Sequence, residues 1–391
     1  MGVYPLLVNR VLNSTVAGFV AVLIGFTSSI ALIYQMVINF GGDANLAASW
    51  LFTLGLSLGI SSMALSYFYR IPILVAWSTP GAALLIGNAQ GLTINEAVAG
   101  FIFSAVLIFL CGVTGWFEKL MNKIPFQLAT AMLAGVLVNF GIGVFDQMNT
   151  QPFLIMVMFI VYLVSKRVFP KYTMLFVLAA GVIVADQTGL ILPNDAKFTF
   201  VGLTYIAPSF TMQSVLGVGI PLFIVTIAAQ NLPGIAVLKA HGYKAPISKI
   251  LSFTGLANVV AAPFGGYSLN LAAITAALCM SEDVDADPNK RYWSAVAGGI
   301  FYILMGIFSG YLIGVFSTFP AALIFALAGL ALFGTITNSI KQSLSDEHYL
   351  EASMITFLVT ASDLSMLGIS SVMWGLIAGV FTLFIMNVFR R

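Results

Sequence analysis

Residues 76–85 have the sequence AWSTPGAALL, which places a serine, a threonine and a proline inside an otherwise apolar stretch. Ser78 and Thr79 can cap a helix, and proline is favoured at the first helical position. The stretch therefore predicts a helix that begins at Pro80 instead of running through it. A helix from Pro80 to Gln90 would be about 16 Å long, roughly half the thickness of a bilayer core.

A second break is predicted in residues 263–270, which have the sequence PFGGYSLN. The glycine pair interrupts the backbone, and Ser268 can cap a following helix from Leu269 to Ser281. Two helix starts would then face each other near the midplane of a bilayer. Each would present unpaired N–H groups and about half a positive charge, so the pair favours an anion between them. The alternative is a pair of proline kinks whose backbone groups are satisfied by neighbouring helices.

A third polar interruption is the sequence QNLPG at residues 230–234. Pro233 frees a carbonyl one turn back, and Gln230 and Asn231 supply amide donors and acceptors. These amides are candidates for binding a solute, although amides also join membrane helices to each other. The corresponding part of the first half offers Ser28, Tyr34 and Gln35 as weaker candidates; the serine there could instead bond only to its own helix.

The composition requires a lipid-facing surface. Of 391 residues, 60% are hydrophobic and only 8% are charged, against about 25% charged in soluble domains. The net charge of +2 does not favour a nucleic-acid partner. Cys111 and Cys279 lie in apolar stretches and support neither a metal site nor a disulfide. The HExxH, GxxxxGK[ST] and CxxC motifs are absent, so neither an enzyme nor a cofactor is expected.

Apolar runs between charged or Pro/Gly-rich punctuation predict an all-α membrane protein with fourteen spans. The expected ranges are 15–37, 47–67, 72–90, 94–117, 125–145, 151–168, 172–190, 213–238, 247–262, 266–281, 292–316, 319–340, 350–364 and 370–388. With the N-terminus in the cytoplasm, every Lys and Arg except Lys197 then falls on the inner side. The charge bias therefore favours fourteen spans of the inner membrane with both termini cytoplasmic.

The two halves of the chain resemble each other at an offset of about 190–200 residues. The sequence AVAG occurs at 97–100 and at 295–298, and AGV occurs at 180–182 and at 378–380. Seven spans per unit is an odd number, so the second unit enters the membrane from the opposite face. We therefore predict a 7+7 inverted repeat, with repeats at 1–190 and 213–391 joined by an extramembrane linker at 191–212.

Acidic residues are missing where a proton relay would place them. Neither of the two predicted broken helices, spans 3 and 10, nor the eighth span contains Asp or Glu. Asp363, near the end of the thirteenth span, is the borderline case. A site with positive helix ends and no carboxylate should prefer an anion, and the aromatic residues Trp77, Phe264 and Tyr267 would suit a flat apolar body on it.

Four stretches together resemble the benzoate membrane transporter (BenE) family: AWSTPGAALL (76–85), AAQNLPGI (228–235), PFGGYSLNLAAITAA (263–277) and FLVTAS (357–362). The resemblance implies a benzoate–proton symporter of the bacterial inner membrane. It also implies a core domain of spans 1–4 and 8–11, a gate domain of spans 5–7 and 12–14, and a homodimer formed through the gate domain. More remotely the chain is similar to uracil and nucleobase–ascorbate permeases, which use acidic residues in the eighth and tenth spans, where this sequence has neutral ones.

The sequence thus predicts an alternating-access importer of benzoate or a related aromatic carboxylate, with the proton as coupling ion. The expected substrate-binding residues are Ser78, Thr79, Pro80, Gln230, Asn231, Tyr267, Ser268 and Asn270, with Trp77, Ser28, Tyr34, Gln35 and Phe264 in supporting positions. A nucleobase permease and a passive anion channel remain as alternatives. Competition by uracil would favour the first, and flux that cannot concentrate the solute would favour the second.

Overall fold

The computed structural model describes residues 3–87, 91–115, 126–193, 198–362, 364, 366 and 371–389. Helices dominate these residues, and the only sheet among them has two short strands. The first half contains α1 (Val3–Asn39), α2 (Ala44–Tyr69), β1 (Val75–Ala76), α3 (Thr79–Gly87), α4 (Ile94–Thr114), α5 (Phe126–Asp146), α6 (Pro152–Val168) and α7 (Thr173–Gln187).

The second half begins with one long helix of mixed geometry. It starts with a π-helical segment, Ser214–Gly219, followed by the α-helix α8 (Ile220–Thr226). A second π-helical segment, Ile227–Asn231, comes next, and the α-helix α9 (Leu232–Ala240) ends it. The remaining elements are α10 (Ile247–Ala261), β2 (Asn270–Leu271), α11 (Ile274–Met280), α12 (Tyr292–Ile307), α13 (Ser309–Phe316), α14 (Ala321–Ser343), α15 (Leu350–Ala361) and α16 (Ser371–Phe389). Short 3₁₀ turns join several of these helices, at Gln147–Asn149, Pro170–Tyr172, Ala262–Phe264, Pro288–Lys290 and Glu347–Tyr349.

Seven helices in the described part of the chain are long and apolar enough to cross a membrane. An eighth crossing is formed if Pro288–Ile307 and Ser309–Phe316, which meet at an angle of 64°, count as one bent span. Two further apolar helices, Thr173–Gln187 and Ser371–Met386, are shorter. The protein is therefore a multi-span helical membrane protein, while the count of fourteen spans stays a prediction. Three of the sequence predictions concern residues outside the described part of the chain. They are the outer position of Lys197, the borderline position of Asp363 and the end of the third span at 88–90.

Capping side chains define where several helices begin. Asp43 accepts a hydrogen bond from the Leu46 backbone N–H at the start of α2. Thr93 and Glu96 form a reciprocal capping box at the start of α4. Both carboxylates thus satisfy backbone donors that a helix leaves unpaired at its N-terminus.

Small residues let the helices approach closely. α2 packs along α12, and a methyl group on Gly59 would lie only 2.5 Å from the carbonyl oxygen of Gly299. Such contacts are typical of membrane helices, where van der Waals packing replaces the hydrophobic effect as the force between helices. The same kind of close pairing joins α4 to α10 and α5 to α14.

Candidate functional site

The chain segments at the two predicted breaks meet as extended chain. β1 and β2 are antiparallel, with Val75 opposite Leu271 and Ala76 opposite Asn270. The Ala272 N–H adds a hydrogen bond of 2.9 Å to the carbonyl of Leu74. Backbone groups inside a bilayer must find protein partners, because lipid offers none. The short ladder meets that need and allows both helices to stop near the same place.

After the first predicted break, helix α3 begins at Thr79, one residue before the expected start at Pro80. The hydroxyl of Ser78 accepts a hydrogen bond of 2.9 Å from the Gly81 N–H, which is the interaction of an N-cap residue. The carbonyl of Ser78 accepts a second bond, from the buried Tyr267 hydroxyl at 2.9 Å. The first helix start is therefore held directly by a residue of the second break.

The second predicted break differs from the sequence prediction. The expected helix from Leu269 to Ser281, capped by Ser268, is wrong at its start: α11 begins at Ile274 and has seven residues. The Ser268 hydroxyl accepts a short hydrogen bond from the Asn270 side-chain amide and does not cap a helix. The extended conformation of residues 270–271 is stabilised by pairing with β1, a long-range partner that local sequence does not reveal.

Amide groups of the eighth predicted span complete the second break. The Asn231 side-chain carbonyl accepts a hydrogen bond from the Leu271 N–H at 3.1 Å. Its amide group donates to the Asn270 side chain at 2.8 Å and to the Thr226 carbonyl at 3.3 Å. Asn231 ends a π-helical segment, a wide helical turn that is frequent at functional sites. The π turn and the extended strand are thus joined through one buried amide pair.

Burial separates the expected site residues into two groups. Five of them are almost completely buried and bond to each other or to neighbouring backbone: Ser78, Asn231, Tyr267, Ser268 and Asn270. Trp77 and Pro80 are also buried. The partly exposed polar residues are Ser28, Tyr34, Thr79 and Gln230. The five buried residues bond within the protein and form a frame, whereas the side chains of the second group keep part of their surface exposed.

Three of the partly exposed polar residues, Ser28, Thr79 and Gln230, lie around the start of α3. Thr79 shares a hydrogen bond of 2.8 Å with Ser29 on α1, and Ser28 lies beside Ser29 with 3.4 Å between the hydroxyl oxygens. The Gln230 amide makes a long contact of 3.4 Å to the Trp77 carbonyl. Hydroxyls and an amide offer both donors and acceptors and carry no net charge. The first turn of α3 therefore faces neutral polar groups from two other helices.

Aromatic rings surround the same region. Trp77 lies 5.9 Å from the ring of Tyr302 on α12 and 6.4 Å from Phe26 on α1, measured between ring centroids. Tyr267 contacts Phe101, which in turn contacts Trp50. These ring contacts place apolar walls next to the polar groups, a combination typical of small-molecule sites.

Three of the weaker candidates have other surroundings. The ring of Phe264 packs against Tyr205 in the segment that connects the two halves, and its carbonyl accepts a hydrogen bond from Thr53. Gln35 is buried, with a side-chain oxygen that has no hydrogen-bond partner in the described part of the chain. Tyr34 packs at the edge of the hydrophobic core.

Sequence reasoning missed Tyr302, Phe26 and the role of Ser29. The polar pair Ser28–Ser29 was visible in the sequence, yet only the structure shows that Ser29 contacts Thr79. Tyr302 gave no signal, because it lies in an apolar helix far along the chain. Among the described residues, no group of three or more His, Cys, Asp or Glu side chains is arranged to hold a metal ion.

Comparison with known proteins agrees with this arrangement. The fold is similar to the transmembrane domain of a cyanobacterium bicarbonate transporter, BicA, with a TM-score of 0.64 at 13% identity over 95% of this chain and 97% of that one. It is also similar to the anion transporter murine Slc26a9 in its inward-facing state, with a TM-score of 0.54 at 12% identity over 96% of this chain and 68% of that one. The fold and its apolar helices define a multi-span helical membrane protein that shares the fold of these two transporters.

The sequence identifies the family within that class. The chain matches the benzoate membrane transport protein (BenE) family over residues 10–385, and it belongs to that family. It is 38% identical to the benzoate membrane transport protein of Acinetobacter baylyi, over 96% of this chain and 95% of the relative. It is 45% identical to the inner membrane protein YdcO of Escherichia coli, over 95% of both chains. The protein is therefore a multi-pass inner-membrane transporter, and the resemblance stated from its motifs is confirmed.

Proposed function

We propose that this protein imports benzoate or a related aromatic carboxylate across the bacterial inner membrane, by proton symport and alternating access. The observation that carries the proposal is the meeting of two interrupted crossings at β1 and β2, beside side chains that are polar but uncharged. Residues 72–90, 213–240 and 266–281 contain no Asp or Glu. An anion next to the first turn of α3 would therefore meet positive backbone dipoles without a repelling carboxylate in these segments.

The exposure of the side chains supports a division of roles. Thr79, Ser28 and Gln230 would contact the carboxylate or its hydration water, since they are the partly exposed polar groups near α3. Trp77 and Phe26 would contact the ring. The buried residues Ser78, Pro80, Asn231, Tyr267, Ser268 and Asn270 would hold the two breaks in position and would not touch the substrate directly.

The helix contacts support the proposed inverted repeat. In the predicted numbering of spans, α2 and α12 belong to spans 2 and 11, and α4 and α10 belong to spans 4 and 9. Exchanging the two halves shifts each span number by seven, so spans 2 and 11 become spans 9 and 4. The first pair thus becomes the second, and both pairs are extensively packed. α5 and α14, spans 5 and 12, pair with each other as the same exchange requires.

The family resemblance also leads us to propose a core domain and a gate domain. α1–α4 and α8–α13 would form the core, and α5–α7 and α14–α16 the gate, with motion of one against the other giving alternating access. The homodimer through the gate domain and the proton as coupling ion rest on the family resemblance alone.

Uptake into proteoliposomes tests the proposal. Purified protein would be reconstituted, and labelled benzoate uptake measured with and without an inward proton gradient. We expect saturable uptake that concentrates benzoate when the gradient is present and that a protonophore abolishes. Unlabelled benzoate should compete and uracil should not. Absence of saturable uptake under both conditions would refute the transport proposal, and equal uptake with and without the gradient would refute proton coupling.

A further inference from the structure

Tyr302 carries a buried hydroxyl that the proposed site does not yet use. The residue lies in α12 and is 1% exposed. Its hydroxyl oxygen has no hydrogen-bond partner among the residues that the structure describes. Native proteins pair nearly all buried polar groups, so an unpaired hydroxyl in the middle of a membrane helix requires an explanation.

The surroundings of this hydroxyl point toward the proposed site. The ring of Tyr302 meets the ring of Trp77 edge-on at 5.9 Å. A methyl group on Gly25 of α1 would lie 3.7 Å from the Tyr302 hydroxyl oxygen and 3.8 Å from Cγ2 of Thr275. Thr275 is in the first turn of α11, and both Gly25 and Thr275 are partly exposed. The hydroxyl therefore lies directly behind a surface that has no side chain at Gly25.

The same surface continues to the polar groups near α3. Ser28, one turn after Gly25 on α1, is partly exposed and donates a hydrogen bond to the Gly25 carbonyl at 2.9 Å. Ser28 lies beside Ser29, which bonds to Thr79. Residues three apart lie on one face of a helix, so Gly25 and Ser28 border the same space.

We propose that the Tyr302 hydroxyl donates a hydrogen bond to the carboxylate of the bound substrate through the gap at Gly25. A phenol O–H can donate, and an ionised carboxylate can only accept, so the two groups are complementary. Hydrogen bonds to charged groups are stronger than neutral ones. Trp77, which touches Tyr302, then contacts the substrate ring. This inference rests on the proposed function and adds a specificity-determining residue to it.

Tyr302→Phe removes the hydroxyl and little else. We expect the Kd for benzoate, measured by calorimetry on the purified full-length protein, to rise about tenfold or more. The thermal midpoint of the substrate-free protein should stay the same or rise, because the lost hydroxyl had no partner among the described residues. A purely structural tyrosine would show the opposite pattern, with a lower midpoint and an unchanged Kd.

Gly25→Ala tests the gap itself. The methyl group would make only ordinary van der Waals contacts and alanine favours a helix, so the substrate-free protein should keep its thermal midpoint. The methyl would cover the hydroxyl, and the Kd for benzoate should rise as in Tyr302→Phe. The double variant should bind no more weakly than the weaker single variant, since both changes remove the same contact.

The substrate series identifies the group that the hydroxyl contacts. Benzoate and ring-substituted benzoates share the carboxylate, so Tyr302→Phe should weaken all of them by a similar factor. A factor that depends strongly on the ring substituent would contradict a contact with the carboxylate.

Ser309→Ala is the matched control. Ser309 at the start of α13 is also a buried hydroxyl without a partner in the described part of the chain, about two helical turns beyond Tyr302. Its removal should leave the Kd for benzoate unchanged. Wild-type affinity in both Tyr302→Phe and Gly25→Ala would overturn the inference while leaving the proposed function intact. Absence of benzoate binding by the wild-type protein would instead refute the proposed function.

Discussion

Thr79 is the polar residue best placed to act on a solute at the start of α3. It is partly exposed, and its hydroxyl shares one hydrogen bond with Ser29. Replacing the hydroxyl by a methyl group should keep the shape of the side chain. We expect Thr79→Val to raise the KM for benzoate uptake severalfold while the protein still folds, because one hydrogen bond contributes only about 0.5–1.5 kcal/mol to stability.

Thr27→Val on α1 is the control for this change. The Thr27 hydroxyl bonds to carbonyls of its own helix, those of Leu23 and Ile24. Its loss should leave the KM near that of the wild-type protein. Equal effects of the two variants on KM would show that Thr79 has no special contact with the substrate.

Asn231 is the residue on which the second break depends most. Its amide satisfies the Asn270 side chain, the Leu271 N–H and the Thr226 carbonyl. Asn231→Leu would leave these buried groups unpaired, at a cost of about 1–3 kcal/mol for each group that finds no other partner. We expect a clearly lower thermal midpoint and loss of uptake.

Asn258→Leu provides the comparison for Asn231. Asn258 is equally buried, on α10, and its side-chain oxygen has no hydrogen-bond partner among the described residues. Leucine there should lower the thermal midpoint much less. If Asn258→Leu is as damaging as Asn231→Leu, then burial alone explains the effect and the amide pair has no particular role.

At the scale of elements, the turn before β2 depends on one glycine. Gly265 has a φ of +95°, a conformation that residues with a Cβ rarely adopt. A methyl group on it would also lie 2.1 Å from Cγ of the buried Trp50. We therefore expect Gly265→Ala either to reduce the yield of folded protein on expression or to lower its thermal midpoint strongly.

Gly242→Ala separates the two causes. Gly242 has a φ of +81°, but a methyl group on it would meet no atom within 4 Å. Gly242→Ala should therefore lower the free energy of unfolding only by the backbone strain, about 1–2 kcal/mol. A difference in thermal midpoint between the two variants then measures the packing of the turn against Trp50. Equal midpoints would mean that Trp50 moves aside without cost.

The breaks illustrate what sequence reasoning can and cannot predict. Pro80 and its capping serine are local signals, and the structure places the start of α3 within one residue of the prediction. The predicted start of α11, at Leu269, was wrong by five residues. The extended segment before the helix is stabilised by β1 and Asn231. These partners are distant in the sequence, and no local propensity encodes them.

The burial of the polar candidate residues also could not be predicted from the sequence. Asn231, Ser268 and Asn270 have the chemistry of a binding site, and from the sequence alone they rank with Thr79. The structure buries all three and pairs them with each other or with backbone. The division of these polar side chains into residues that bond within the protein and residues that stay partly exposed therefore requires knowledge of their partners.

At the scale of the whole molecule, the long helix from Ser214 to Ala240 decides the topology. It contains α8, α9 and the two π segments and is one of the seven helices that meet the criteria for a full crossing. The predicted inverted repeat requires it to run from the outer to the inner face. Gln187, at the end of α7, and His241, just after α9, must then lie on opposite sides of the membrane.

Cysteine labelling in intact cells checks this orientation. Gln187 and His241 are both exposed, whereas the native Cys111 and Cys279 are buried and can be replaced by alanine for a clean background. We expect Gln187→Cys to react with a membrane-impermeant maleimide in intact cells, and His241→Cys to react only after permeabilisation. Because Lys239 and Lys244 flank His241, an inner position there also follows the distribution of positive charge. Labelling of both cysteines in intact cells would place residues 187 and 241 on the same side of the membrane, and the inverted repeat would have to be abandoned.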